Sequence, residues 1–314
     1  MKIVRSVTEL ARDRNSVVTI GTFDGVHLAH QEIVREVLHR ARMREGRSVV
    51  ITFDPHPKEV VESGAGNVQL ISTVDERIEL LRAMNVDILF LINFTFEFSR
   101  STPSEFYRNY VVDGIGVSEV VVGYDHMFGR DGEAGVQELV RIGQEFDFSV
   151  FAVHPYTVDG EIVSSSLIRK AILAGDVERA RRFLGYPYSL CGIVVEGDGR
   201  GRTIGYPTAN IKPGSGRKII PGSGVYFVGV QWMQRQYFGM MNIGVRPTVT
   251  TGSERTLEVH IFDLSDALYG QSIGVTFLKR LRDEQKFTSL QELVHQLEKD
   301  KEASLRYVAE YVRK

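Results

Sequence analysis

The feature that most constrains this chain is a rhythm that runs for 184 of its 314 residues and then stops. Five short runs, residues 17–20, 49–53, 86–92, 120–122 and 148–153, are almost wholly apolar, and amphipathic stretches separate them. Strands without polar alternation suit a sheet covered on both faces, and strands alternating with helices suit parallel strands joined by crossovers. In residues 30–45, Ile33, Val34, Val37, Leu38 and Ala41 fall on one helical face. Residues 75–84 follow Thr73, which with Glu76 fits a capping box. Helices are also predicted for 104–112, behind Pro103, for 135–145, and for 166–174 and 176–184. This half reads as a doubly wound parallel sheet.

After Gly185, Tyr186 and Pro187 the texture changes. Strand-like runs at 190–195, 225–231, 236–243, 256–262 and 272–278 follow one another without helices, joined by glycine-rich connections. That pattern suits antiparallel strands closing into a small barrel, with a terminal helix over 289–312. The fold class is therefore α/β plus β, with domains at 1–184 and 185–314 that meet at a change of architecture.

Composition narrows the setting. The longest apolar run, 88–92, is far short of the roughly 20 residues that a membrane helix needs. The first fifteen residues hold Lys2, Arg5, Glu9, Arg12, Asp13 and Arg14 and no apolar stretch of a secretory signal. One cysteine, Cys191, allows no internal disulfide, and a formal charge of −2 offers no basic surplus for nucleic acid. A cytoplasmic protein without membrane or nucleic-acid partners is expected.

Chemistry concentrates in two places. In the first, Gly21, Thr22, Phe23, Asp24, Gly25, Val26 and His27 leave the first long strand and enter a helix that carries His30. A doubly wound sheet binds ligands beyond the carboxyl ends of its strands, against helix N-termini. Two imidazoles three residues apart, with free backbone N–H groups, suit the charge that builds on a phosphoryl group under attack. Zinc is the weaker reading, because no third ligand stands at metal spacing.

In the second, glycines 197, 199, 201 and 205 precede Tyr206, Pro207, Thr208, Ala209 and Asn210. No Gly-Lys-Ser/Thr follows, so this is not a P-loop, and Arg202 stands where a dinucleotide fingerprint needs its third glycine. A threonine hydroxyl and an asparagine carbonyl are hard oxygen ligands able to hold Mg²⁺ beside ATP phosphates. Glu258 sits on the otherwise apolar run Leu257, Val259, Ile261. Facing the barrel interior it needs a partner or a role, such as taking a hydroxyl proton; facing the other way it is merely solvated.

Taken together, these motifs resemble the bifunctional riboflavin kinase/FMN adenylyltransferases, the prokaryotic FAD synthetases. The run from Gly21 to His30 resembles their His-x-Gly-His nucleotidyltransferase signature, with Ala29 in the place of its glycine. Thr52 to Pro57, Phe94 to Ser99 with Pro103 and Phe106, Gly123 to Gly129 with His126 for the usual aromatic, and Ser164, Ser165, Ser166 with Arg169 follow in family order. So do Pro207 to Asn210, Asn242 to Gly244 with Pro247 and Thr248, Glu258 to His260, Leu268 to Gly270, and Leu281, Arg282, Glu284 and Phe287.

The resemblance implies a Rossmann-like nucleotidyltransferase half that joins FMN to the adenylyl group of ATP, giving FAD and pyrophosphate. It implies a barrel half that phosphorylates riboflavin with ATP, giving FMN and ADP, with Mg²⁺. His27, His30, Arg169 and Glu258 would be catalytic. Gly21, Phe23, Asp24, Ser164, Ser165, Gly199, Gly205, Pro207 and Thr208 would hold ATP. Asp54, His56, Asp125 and Arg282 would border the flavin, and Thr208 and Asn210 the metal. Two other readings stay open: a kinase whose adenylyltransferase half is impaired at Ala29, and a flavin- or nucleotide-binding regulator without turnover.

Overall fold

The computed structural model describes residues 1–61, 68–127, 135–197, 200–248, 252–264, 266 and 268–312. They form two compact units, Met1–Ser165 and Ser166–Lys314. No helix among the described residues is long and apolar enough to cross a membrane.

The first unit is built on β1 (Lys2–Val4), β2 (Ser16–Ile20), β3 (Ser48–Asp54), β4 (Ile88–Asn93), β5 (Val117–Gly123) and β6 (Ser149–Val153). All their pairings are parallel and the order is β1-β4-β3-β2-β5-β6. Its helices are α1 (Leu28–Met43), α2 (Pro57–Val61), α3 (Val74–Ala83), α4 (Phe96–Ser99), α5 (Pro103–Phe106) and α6 (Val136–Phe146). The sheet is covered on both sides, as its unalternating strands require. Val18, Val49, Ile51, Phe90 and Val120 pack into one buried cluster, while Val50, Leu89, Val34, Ile78 and Leu81 pack into another.

The capping box at Thr73 and Glu76 forms as expected. The helix expected over 104–112 instead passes from α5 into a π-helical stretch, Tyr107–Ile115. Its wider turn brings residues four apart into line, and Tyr107, Val111 and Ile115 are each 0% exposed. Strand β1 is too short for its pattern to register in the sequence, yet it pairs with β4 at the sheet edge.

Helix α7 (Ser165–Leu173) begins at the last residue of this unit, and α8 (Val177–Leu184) follows. The second unit is a closed antiparallel barrel of β9 (Ser189–Val195), β10 (Ala209–Pro213), β11 (Gly224–Trp232), β12 (Arg235–Thr248), β13 (Gly252–Ile261) and β14 (Ser272–Arg282), with α9 (Arg200–Thr203) and α10 (Leu290–Val312). Ala209 and Asn210, the end of a run whose polar oxygens suggest a ligand-bearing turn over 207–210, thus open a barrel strand.

The compact units divide ahead of the change of architecture at 184–187, because α7 and α8 associate with the barrel. The Ile172 carbonyl accepts from Gly222 N–H at 3.0 Å, and Lys279 on β14 pairs with Glu178 on α8 at 3.4 Å. Helix α10 covers the outside of β11 and β12 through Tyr307 against Phe227 and Tyr311 against Phe238.

Candidate active sites

In the first unit, β2 and β5 are neighbours whose following connections leave in opposite directions along the sheet, the switch point where such sheets open a crevice. The segment after β2 is built against its own preferences. Phe23 and Val26 have φ of 48° and 36°, and Gly25 between them has 81°. For a β-branched residue such as Val26 that geometry is strained, so other bonds must hold it.

The start of α3 supplies those bonds. The carboxylate of Asp24, 0% exposed, accepts the N–H groups of Ile71 at 3.0 Å and Ser72 at 2.9 Å, while the Ser72 hydroxyl accepts from Gly25 N–H at 2.7 Å. Asp24, expected at ATP, therefore spends its carboxylate on shaping the loop. Phe23 and Val26, 2% and 1% exposed, are seated in the apolar cluster under α3.

This loop delivers His27 as the N-cap of α1, its Nδ1 accepting from His30 N–H at 3.4 Å. With Nδ1 an acceptor, the proton of neutral His27 rests on Nε2, a donor suited to phosphate. The His30 ring stacks on that of His27, 3.6 Å between centroids and 16° from parallel, with Phe23 edge-on at 5.1 Å. Burial first, then His27, then Arg77, hold the His30 pKa well below the ordinary imidazole value. His30 is therefore neutral near pH 7.

Other expected residues adjoin the loop or lie at strand ends. The Ser165 hydroxyl donates to the Asp24 carbonyl at 3.2 Å, so the N-terminus of α7 adjoins the loop, with half-buried Ser164 before it. Gly21 lies under Phe23, whose ring would be 3.2 Å from an added Cβ. Asp54 ends β3 exposed, and buried His56 accepts from Lys58 N–H through Nδ1 at 3.2 Å. Asp125 is exposed in the turn after β5, while burial pushes the neighbouring His126 down to about 4. Phe128 and Gly129 of that motif lie outside the described residues, as does Gly199. Arg169 lies on α7 beyond the division between the units.

Sequence reasoning missed Arg77, which is 2% exposed on α3. An arginine in an amphipathic helix, here one of two with Arg82, gives no sign that it is buried. The runs Phe94 to Ser99 and Gly123 to Gly129 stand out in the sequence, but without a role for Phe96 and Met127, which are 62% and 60% exposed just past β4 and β5.

In the second unit the site is a matter of register. Asn210 on β10 pairs with Glu258 on β13, and Glu258 pairs on its other side with Asn242 on β12. Residues directly opposite share a face, so the three side chains form one row across three strands. Thr208 stands immediately ahead of β10, two residues before Asn210. A Cβ on Gly197 would collide with the Asn210 amide, so only glycine lets that amide lie there.

Glu258 does not face the barrel interior. Its neighbours Leu257 and Val259, 2% and 0% exposed, fill that interior with Met241 and Ile243, and strand alternation puts half-buried Glu258 on the outer wall. His260, on the same outer side, binds the Pro207 carbonyl through Nδ1 at 2.8 Å and pins the turn that carries Thr208. Burial keeps its pKa below the ordinary value, partly offset by that bond. Gly205, with φ of 83°, makes the turn before Tyr206.

Arg282, expected beside the flavin, pairs with Asp300 of α10. Among the described residues no three His, Cys, Asp or Glu side chains come together as metal ligands. The hydroxyl of Thr208 and the amide oxygen of Asn210, beside a carboxylate, are nevertheless the hard donors that Mg²⁺ prefers.

Comparison with known proteins covers both units. Residues 9–167 match a family described as FAD synthetase and residues 184–308 one described as riboflavin kinase. Bifunctional riboflavin kinase/FMN adenylyltransferases from Listeria monocytogenes and Bacillus subtilis are each 35% identical, over 95% and 93% of this chain and 94% and 92% of theirs. A crystal structure described as a macrolide-efflux protein from Streptococcus pneumoniae shares the fold at a TM-score of 0.88, with 36% identity over 96% of this chain and 98% of that one.

Proposed function

The chain belongs to the bifunctional riboflavin kinase/FMN adenylyltransferase family, and from that membership we propose how its two units divide the chemistry. The activities are phosphorylation of riboflavin to FMN and adenylylation of FMN to FAD, both with ATP. We assign the first to the barrel unit and the second to the parallel-sheet unit. The observation that carries the assignment is that each unit builds a polar set from its own residues: the stacked imidazoles in one, Thr208 with the Asn210–Glu258 pair in the other.

In the barrel, Glu258 takes the proton of the terminal ribityl hydroxyl as its oxygen bonds to the γ-phosphorus of ATP and ADP leaves. Thr208 and Asn210 would hold Mg²⁺, which when bound draws charge from the ATP phosphates. Pro207 and the glycines before it would border the nucleotide. In the parallel-sheet unit, a phosphate oxygen of FMN bonds to the α-phosphorus of the second ATP and pyrophosphate leaves. No protein nucleophile is needed, because the substrates supply both attacking oxygens.

His27 donates through Nε2 to the phosphates, and neutral His30 backs it in the stack. Ser164 and Ser165 add donors where α7 begins. Asp54, His56 and Asp125, at the strand ends, would border the flavin with exposed Phe96 and Met127. A cytoplasmic place, with neither nucleic acid nor membrane as partner, accords with one cysteine and a charge of −2.

Retention of both histidines, Glu258 and the oxygen donors speaks against an impaired adenylyltransferase half or a binder without turnover. The test is chromatography of flavins after incubation with Mg-ATP, once with riboflavin and once with FMN. FMN and FAD are expected from the first and FAD from the second. No FAD from FMN would leave a kinase alone, and no conversion in either would end the reading.

A further inference from the structure

We propose that Arg77 is the positioning residue of the adenylyl-transfer site: one buried guanidinium nitrogen ties the carbonyl at the head of the His27 loop to the end of β3, and so sets where the stacked imidazoles stand. The inference rests on the reading that the parallel-sheet unit transfers the adenylyl group.

Arg77 Nη1 donates to the Thr22 carbonyl at 2.8 Å, the Thr52 hydroxyl at 2.7 Å and the Phe53 carbonyl at 3.0 Å. The Thr52 hydroxyl in turn donates to the Thr22 carbonyl at 3.0 Å, closing a small ring of bonds. Thr22 immediately precedes Phe23, where φ first turns positive. Phe53 immediately precedes Asp54, at the strand end expected to meet the flavin. A single side chain thus joins the backbone that carries the imidazoles to the backbone that borders the second substrate.

Burying a guanidinium costs free energy unless it is paired and hydrogen-bonded. Here the Nε is buried with no hydrogen-bond partner among the described residues, so packing alone does not account for the charge. The ionisable groups in its field are Asp24, Asp54 and Glu59, and on the other side His30 with its stacked partner His27. Arg77 acts on His30 across space, helping to keep it unprotonated, while it acts on His27 through the loop. Neither imidazole is its hydrogen-bond partner in the bonds above, so its role is to place the groups that meet the phosphates.

Two substitutions separate position from charge. Arg77→Met removes both, and Arg77→Lys keeps the charge without the forked donor. Each is assayed for conversion of FMN to FAD and for phosphorylation of riboflavin, and the imidazole resonances of His27 and His30 are titrated by NMR. For Arg77→Met, we expect kcat of FAD formation to fall on the order of 100-fold, as a misplaced site does, with KM for ATP within a few-fold and riboflavin phosphorylation unchanged. The His30 titration midpoint should rise in Arg77→Met and stay near its original place in Arg77→Lys, whose kcat should lie between.

Should Arg77→Met fail to fold, Arg77→Lys carries the test, with a loss of tenfold or more expected in FAD formation alone. A folded Arg77→Met, or failing that a folded Arg77→Lys, with kcat within twofold of the original protein overturns the proposal. So does an unmoved His30 midpoint in Arg77→Met, or a loss that merely tracks unfolding and vanishes on cooling. If the unsubstituted protein makes no FAD, the functional reading fails instead, and the His30 titration still decides what Arg77 does to the imidazoles.

Discussion

Arg282 and Asp300 face each other in a two-pronged ion pair, with Nε 3.0 Å from both carboxylate oxygens and Nη2 2.8 Å from one. Asp300 is 4% exposed, and Gln296 adds a third donor at 2.9 Å. The pair fastens the end of β14 to α10. Removing one partner strands a buried charge, which costs about 3–5 kcal/mol. Asp300→Ala is therefore expected to lower the denaturant midpoint of the barrel unit by roughly that free energy. An unchanged midpoint in chemical denaturation would place Arg282 elsewhere than in holding the helix.

Glu258→Gln keeps the shape of the outer row and removes the proposed base. Formation of FMN from riboflavin should fall by about 10²–10⁴-fold, the usual worth of a placed general base. Formation of FAD from supplied FMN should be unaffected. Both rates are read by flavin chromatography on the same preparation.

His27→Ala should do the reverse. Loss of the proposed donor to the phosphates is expected to reduce FAD formation by on the order of 10²–10³-fold and to spare riboflavin phosphorylation. Parallel loss of both activities would defeat the claim of two independent sites.

Acid should weaken the parallel-sheet unit. His30 and His126 both titrate below the ordinary histidine value when folded, His126 at about 4. Below about pH 6.5 the unfolded chain binds protons that the folded chain refuses, so stability is full above that pH and is lost as the pH falls toward the folded values. Each histidine contributes a slope of about 1.4 kcal/mol per pH unit in that window. Denaturation midpoints measured from pH 7 to pH 4.5 should show the decline, and His126→Phe should make it shallower.

Much of the fold was legible because its signals are periodic. Unalternating strands and one-faced helices marked the parallel sheet, and helix-free strands marked the barrel. The pieces that escaped carry weak periods: β1 spans only three residues, and β10 begins inside a motif whose polar oxygens read as a turn. The site was legible as a set of residue types in order, but direction was not. Nothing local tells which wall face Glu258 occupies, since that depends on the pairing of β13 with β10 and β12. Nor could local pattern reveal that Asp24 bonds Ile71 and Ser72, that Arg282 pairs with α10, or that Arg77 lies buried, because none of these partners is nearer in sequence than the 18 residues between Arg282 and Asp300.

The pairing of Asn210 with Glu258 has an outcome for how this enzyme can go wrong. A slip of one residue between β10 and β13 would turn the carboxylate into the hydrocarbon interior and push Val259 out onto the face proposed to meet the phosphates. Misassembly would therefore disturb the core and the proposed site at one stroke, because a wall that closes in the wrong frame displaces Glu258 and Val259 together.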